Sequence, residues 1–131
     1  MQHCPLRVLI VDDNQGVRLG IREHLEAIGW LCQEAENGLH ALTVLRTQAV
    51  DVLLTDFNMP DMDGLQLTKT ISQHQPSYEI SRIVVMSAWI TEDIRVQALQ
   101  AGANAILDKP FSIPDLVQAI QSPHDLLPQA A

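Results

Sequence analysis

The chain has 131 residues, a net charge of -8 and 47% hydrophobic residues, which suits one folded domain with its own core and excludes a disordered polar chain. Its 8 Lys and Arg residues are scattered, leaving no basic surface for nucleic-acid phosphates, and no apolar run is long enough to span a bilayer. Met1 to Arg7 lacks the pattern of a signal peptide, and Cys4 and Cys32 make neither a disulfide framework nor a CxxC pair, so a reducing cytoplasm is the expected setting.

Leu6 to Val11 is a branched apolar run between Pro5 and Asp12-Asp13-Asn14, and reads as a first buried strand. Val17, Ile21, Leu25 and Ile28 then recur at helical spacing up to Gly29, with Asp13 or Asn14 as N-cap. Trp30 to Ala35 is a second, more polar strand, and Asn37-Gly38 turns the chain into a Leu- and Ala-rich helix over Leu39 to Thr47. Val52 to Thr55 is a third strand that ends on Asp56, followed by a turn from Pro60 to Gly64. Leu65, Thr68, Ile71 and Ser72 mark a third helix ended by Pro76, with an irregular connection over Ser77 to Ser81. Ile83 to Met86 is a fourth strand carrying Ser87-Ala88 at its end. Ile90, Ile94, Ala98 and Ala101 line a fourth helix stopped at Gly102, and Ala105 to Leu107 is a short fifth strand leading into Asp108-Lys109-Pro110. Ile113, Leu116, Val117 and Ile120 space a last amphipathic helix, so the domain is expected over 1–122, with 123–131 a flexible tail or the start of a linker.

Strands alternating with helices through short loops imply a parallel sheet covered on both faces. The expected architecture is α/β: a flavodoxin-like (βα)5 three-layer sandwich with strand order 2-1-3-4-5. In that order the ends of strands one, three, four and five converge, bringing Asp12, Asp13, Asp56, Ser87 and Lys109 together, while strand two stays at the edge. Each aspartate alone could be a helix cap or a turn residue. Together they are costly, since two carboxylates about 5 Å apart repel by roughly 3 kcal/mol at an effective dielectric of ~20. Oxygen ligands with room for water suit Mg2+, and a carboxylate beside such an ion can serve as a phosphoryl acceptor.

These residues carry a resemblance. Val11-Asp12-Asp13-Asn14, the stretch from Asp56 to Gly64, Met86-Ser87-Ala88 and Asp108-Lys109-Pro110-Phe111 make the chain similar, from about Arg7 to Gln121, to a response-regulator receiver domain, the phosphoacceptor of two-component signalling. The resemblance implies Asp56 as the residue phosphorylated from a phosphohistidine. It implies Mg2+, or Mn2+ in its place, held by Asp13, Asp56 and the Asn58 carbonyl, with Asp12 acting through water. Lys109 would pair with Asp56 and a phosphoryl oxygen, Ser87 would turn its hydroxyl onto the phosphoryl group, and Pro110 would follow a cis peptide. Ala88, Asn58 and Trp89 would flank the pocket, with Trp89 placed to shield it from water.

One position departs from the pattern. Receivers usually carry Tyr or Phe three residues before the lysine, where this chain has Ile106. An aliphatic side chain lacks that ring-and-hydroxyl switch, so a phosphorylation-independent interaction module is the second reading. A third is an aspartyl-phosphate phosphatase or mutase of the haloacid-dehalogenase class, which expects an aspartate where Asn58 stands and usually needs a cap domain. The resemblance implies a histidine kinase or phosphotransfer protein as donor, while the acidic charge and short apolar runs argue against direct binding of nucleic acid or membrane. Its output or homodimer face would be the fourth helix, fifth strand and fifth helix, with Val96, Gln97, Gln100, Ile106 and Gln118. With Met1 at its start the receiver is expected to come first in its protein, and the chain is expected to be either a stand-alone receiver or part of a longer regulator with an output domain. The five histidines show no metal-ligand spacing.

Overall fold

Period-two alternation sorts the strand side chains onto two faces, and a computed structural model shows both faces covered by helices. The structure describes residues 5–60, 62–73 and 79–121. The elements are β1 (Arg7–Val11), α1 (Gln15–Ala27), β2 (Leu31–Ala35), α2 (Gly38–Thr47), β3 (Val52–Asp56), α3 (Gly64–Gln73), β4 (Arg82–Ser87), α4 (Glu92–Ala101), β5 (Ala105–Asp108) and α5 (Ile113–Gln121). All strand pairs are parallel, in the expected order β2-β1-β3-β4-β5. The end of α3 at Pro76, the start of the connection at Ser77 and the boundary and tail over 122–131 lie outside the described residues.

Val8, Ile10, Val52, Leu54, Val84 and Met86 turn to one face, where Ile21 and Leu25 of α1 and Leu116 and Ile120 of α5 cover them. Leu9, Val11, Leu53, Ile83 and Val85 turn to the other, under Ala41 of α2, Leu67 and Ile71 of α3 and Ala98 of α4. Each fully buried aliphatic side chain contributes about 1.5–3 kcal/mol, so the two clusters hold the sheet from both sides.

The loops are closed by short polar side chains. Asn14, Asn37 and Thr91 accept hydrogen bonds from the amides of Val17, His40 and Ile94 at 3.0, 2.8 and 3.1 Å. Asp63 and Gln66 exchange reciprocal bonds at the start of α3, and Ser112 caps α5 through the Asp115 amide. Helix α1 ends in a Schellman motif, with the Trp30 amide on the Leu25 carbonyl and the Gly29 amide on that of Glu26. Gly29 takes a φ of 97°, which a side chain would oppose. This closure ends the helix before Ile28, which is 49% exposed instead of continuing the buried stripe. Ile90 likewise precedes its helix, because Thr91 is the cap.

Candidate functional site

Strand register builds the site. Val11 pairs with Thr55, so the next residues, Asp12 and Asp56, stand side by side at the carboxyl ends of β1 and β3. Asp56 pairs with Met86 and Ser87 with Asp108, which places Ser87 and then Lys109 beyond the same rim. The turn after Asp56 is pinned by the Phe57 amide on the Met86 carbonyl (2.7 Å) and the Gly64 amide on the Phe57 carbonyl (2.9 Å). Gly64 is required here, since a Cβ would collide with the carbonyl oxygen of Asp56.

Within this rim Asp12 is buried and Asp13 exposed. Lys109 Nζ lies 2.8 Å from Asp12 Oδ2 and 3.3 Å from Asp56 Oδ1, so the ammonium bridges two carboxylates. One carboxylate oxygen from each of Asp12, Asp13 and Asp56 lies within 4.8 Å of the others. At that separation each pair repels by about 3 kcal/mol at an effective dielectric of ~20, and a single ammonium among three carboxylates leaves an excess of negative charge. Burial pushes the Asp56 carboxyl above the usual carboxylate range; Lys109 opposes the shift and Asp12 adds to it. Burial alone would lower the Lys109 pKa, but the hydrogen bond it donates to Asp12 and the attraction of Asp56 outweigh it and raise it. An oxygen-only donor set with this excess of negative charge fits a hard divalent cation such as Mg2+.

Ser87 is fully buried, and its Oγ accepts the Trp89 amide at 3.1 Å. Asn58 and Ala88 are exposed beside the rim, Trp89 is 76% exposed, and the Lys109–Pro110 peptide is cis. Ile106 differs from expectation. It is 7% exposed and packs in the cluster containing Val85, Ala98 and Ala103, so it lies under α4 instead of on an outer face. Val96, Gln97, Gln100 and Gln118 are exposed as expected.

Two features escaped the sequence reading. Arg18 Nη1 donates to the Asp12 carbonyl at 2.7 Å, and its Nε to Glu34 at 2.9 Å. The faint signal was Arg18, Arg22 and Glu26 spaced four apart opposite a polar strand. Thr55 is also fully buried, donating its hydroxyl to the Asp56 carbonyl at 3.0 Å.

Among the described residues no helix is long and apolar enough to cross a membrane. A family model described as the response regulator receiver domain matches residues 8–121. The chain is 38% identical over 114 residues to the DNA-binding transcriptional regulator NtrC of Escherichia coli K12, a match covering 87% of this chain and 24% of that protein. It therefore spans about a quarter of that relative's length. The chemotaxis protein CheY4 of Vibrio cholerae superposes with a TM-score of 0.82 at 27% identity, covering 88% of this chain and 95% of that one. A response regulator from Burkholderia pseudomallei, solved with a phosphorylated aspartic acid, calcium ion and citrate, superposes at 0.80 with 26% identity over 89% of this chain and 67% of that one. By the match along nearly its whole length and the strand order that assembles its acidic rim, the chain belongs to the receiver domains of response regulators, the phosphoacceptor domains of two-component signalling.

Proposed function

We propose that Asp56 is the phosphorylated residue, taking a phosphoryl group from a phosphohistidine of a histidine kinase or phosphotransfer protein in the cytoplasm. The observation that carries this reading is the position of Asp56 between the Lys109 ammonium, at 3.3 Å, and the Asp12–Asp13 pair at the end of β3. An Asp56 carboxylate oxygen attacks phosphorus as the P–N bond breaks, and the electron pair of that bond stays on the imidazole. Lys109 holds a phosphoryl oxygen as a compact point charge, and Ser87 supplies its hydroxyl to another. Asp12, Asp13, Asp56 and the Asn58 carbonyl would hold Mg2+, which when bound neutralises charge on the phosphoryl oxygens. Positioning and charge neutralisation are what such a transfer needs, so the domain catalyses its own phosphorylation and dephosphorylation to a limited extent without being an enzyme in turnover. The relative from Burkholderia pseudomallei, with its phosphorylated aspartic acid and calcium ion, supports the assignment.

Phosphorylation then alters the contacts of α4, β5 and α5 with a second copy, a partner protein or an output domain of a longer regulator. Incubation with acetyl phosphate and Mg2+ should add one phosphoryl group by intact mass spectrometry, and Asp56→Ala should take up none. Equal uptake by the variant would reject Asp56 as the acceptor.

A further inference from the structure

Every polar atom of Asp12 is engaged. Its amide donates to the Ala35 carbonyl (3.2 Å), Oδ1 accepts from the Asn14 amide (2.9 Å), Oδ2 from Lys109 (2.8 Å) and its carbonyl from Arg18 (2.7 Å). Asp13 is the opposite case: it is exposed and makes no hydrogen bond or ion pair among the described residues. With no side-chain partner of its own, where its carboxylate can reach depends on the backbone that carries it. The Asp12–Asp13 peptide is the first link of that backbone, and the group that grips its oxygen is the Arg18 guanidinium.

Arg18 is itself held from behind. Its side chain is only 13% exposed, and its Nε is fixed by Glu34 Oε1 at 2.9 Å. Glu34 Oε2 accepts from Arg22 Nη1 at 2.8 Å, and Arg22 Nε donates to Glu26 Oε2 at 2.9 Å. The guanidinium fork makes both contacts at once, which a lysine ammonium on a flexible stem does not reproduce with the same geometry. An ordinary surface ion pair would stop at Glu34. Here the chain of charges runs from the outer side of α1, through the edge strand β2, to the peptide between two candidate metal ligands.

We propose that Arg18 is a positioning residue of the acidic site: by clamping the Asp12–Asp13 peptide against Glu34, it aims the Asp13 carboxylate at the divalent cation. The inference rests on the Mg2+-assisted phosphoacceptor reading above. Arg18 touches neither cation nor phosphoryl group, and acts through the ligand it orients.

The test is a Mg2+ titration of the intact chain, read by NMR shifts of backbone amides around the site, in a two-by-two cycle of Arg18→Met and Asp13→Asn. Arg18→Met should weaken Mg2+ binding by about tenfold, at the lower end of the loss seen when a partner orienting a ligand is removed. In the Asp13→Asn background the same change should add less than about twofold, because the ligand it serves is gone. A purely structural Arg18 would lower the urea midpoint but leave the dissociation constant within about twofold of wild type, and would overturn the proposal, as would an equal loss in both backgrounds. Should Arg18→Met fail to fold, Arg18→Lys serves in its place: weaker Mg2+ binding supports the clamp, and wild-type binding overturns it. Failure of the underlying reading looks different, since the wild-type chain would then show no saturable Mg2+ shift at all.

Discussion

The Lys109 ammonium makes its shortest contact, 2.8 Å, with the carboxylate of Asp12. Asp12 is 1% exposed, so removing the ammonium leaves a buried charge without its cation. Lys109→Met should therefore destabilise the fold by about 1–3 kcal/mol in urea denaturation. Adding Asp12→Asn should recover most of that loss. A double variant as unstable as the single one would show that the lysine stem, and not the charge pair, was being measured.

Asp56 has the reverse effect on stability. It is buried beside two like charges, and the Lys109 it shares stands 3.3 Å away. Asp56→Asn keeps the shape and removes the repulsion, and should stabilise the chain in metal-free buffer by on the order of 1–2 kcal/mol. Millimolar Mg2+ should shrink the difference, because the cation stabilises only the wild type. Thermal melts with and without Mg2+ give both quantities; an identical gain in the two buffers would contradict a cation site at these carboxylates.

Ile106 is 7% exposed and packs among residues of β4 and α4, so a bulkier aromatic ring at this position is expected to crowd them. Ile106→Tyr should cost about 1–3 kcal/mol by overpacking. Urea midpoints of the two proteins decide the matter, and an unchanged midpoint would mean that α4 yields to admit the ring.

At the far end of the sheet, Asp51 accepts from the Arg7 amide and from Arg7 Nε and Nη2 at 2.9, 3.0 and 2.8 Å. The Arg7 hydrogen bonds hold its carboxyl below the usual carboxylate range. A depressed folded pKa means that the unfolded chain binds the proton more readily. The contribution is thus complete above the unfolded carboxylate value and is lost as pH falls through the lower folded one. Asp51→Asn should lower stability at neutral pH and flatten this acid limb, so that the two curves converge below the folded carboxylate value. A curve of unchanged slope below the carboxylate range would refute the assignment.

The strand-end residues were legible because a parallel fold turns a list of apolar runs into a list of neighbours. Once Val11 and Thr55 end adjacent strands, Asp12 and Asp56 must meet. The caps at Asn14 and Gly29 could be read because their chemistry is local. What stayed hidden depends on contacts between distant segments. Ile28 obeys the helical spacing but is the C-cap within the Schellman closure, and Ile106 sits near the sheet edge yet is roofed by α4. The division of Lys109 between Asp12 and Asp56 is a matter of tenths of an ångström, and Arg18 meets Glu34 only because β2 pairs with β1.

The parallel register also gives the sheet two unlike rims. On one, Arg7 and Asp51 join the starts of β1 and β3 with opposite charges, and on the other the same two strands end in charges of like sign. One rim pairs opposite charges, and the other gathers like charges that suit a cation. Substitutions that tighten the Arg7–Asp51 rim can therefore raise stability while leaving the reactive rim's charge balance alone. The scaffold can be strengthened at one end and retuned at the other as two nearly independent tasks.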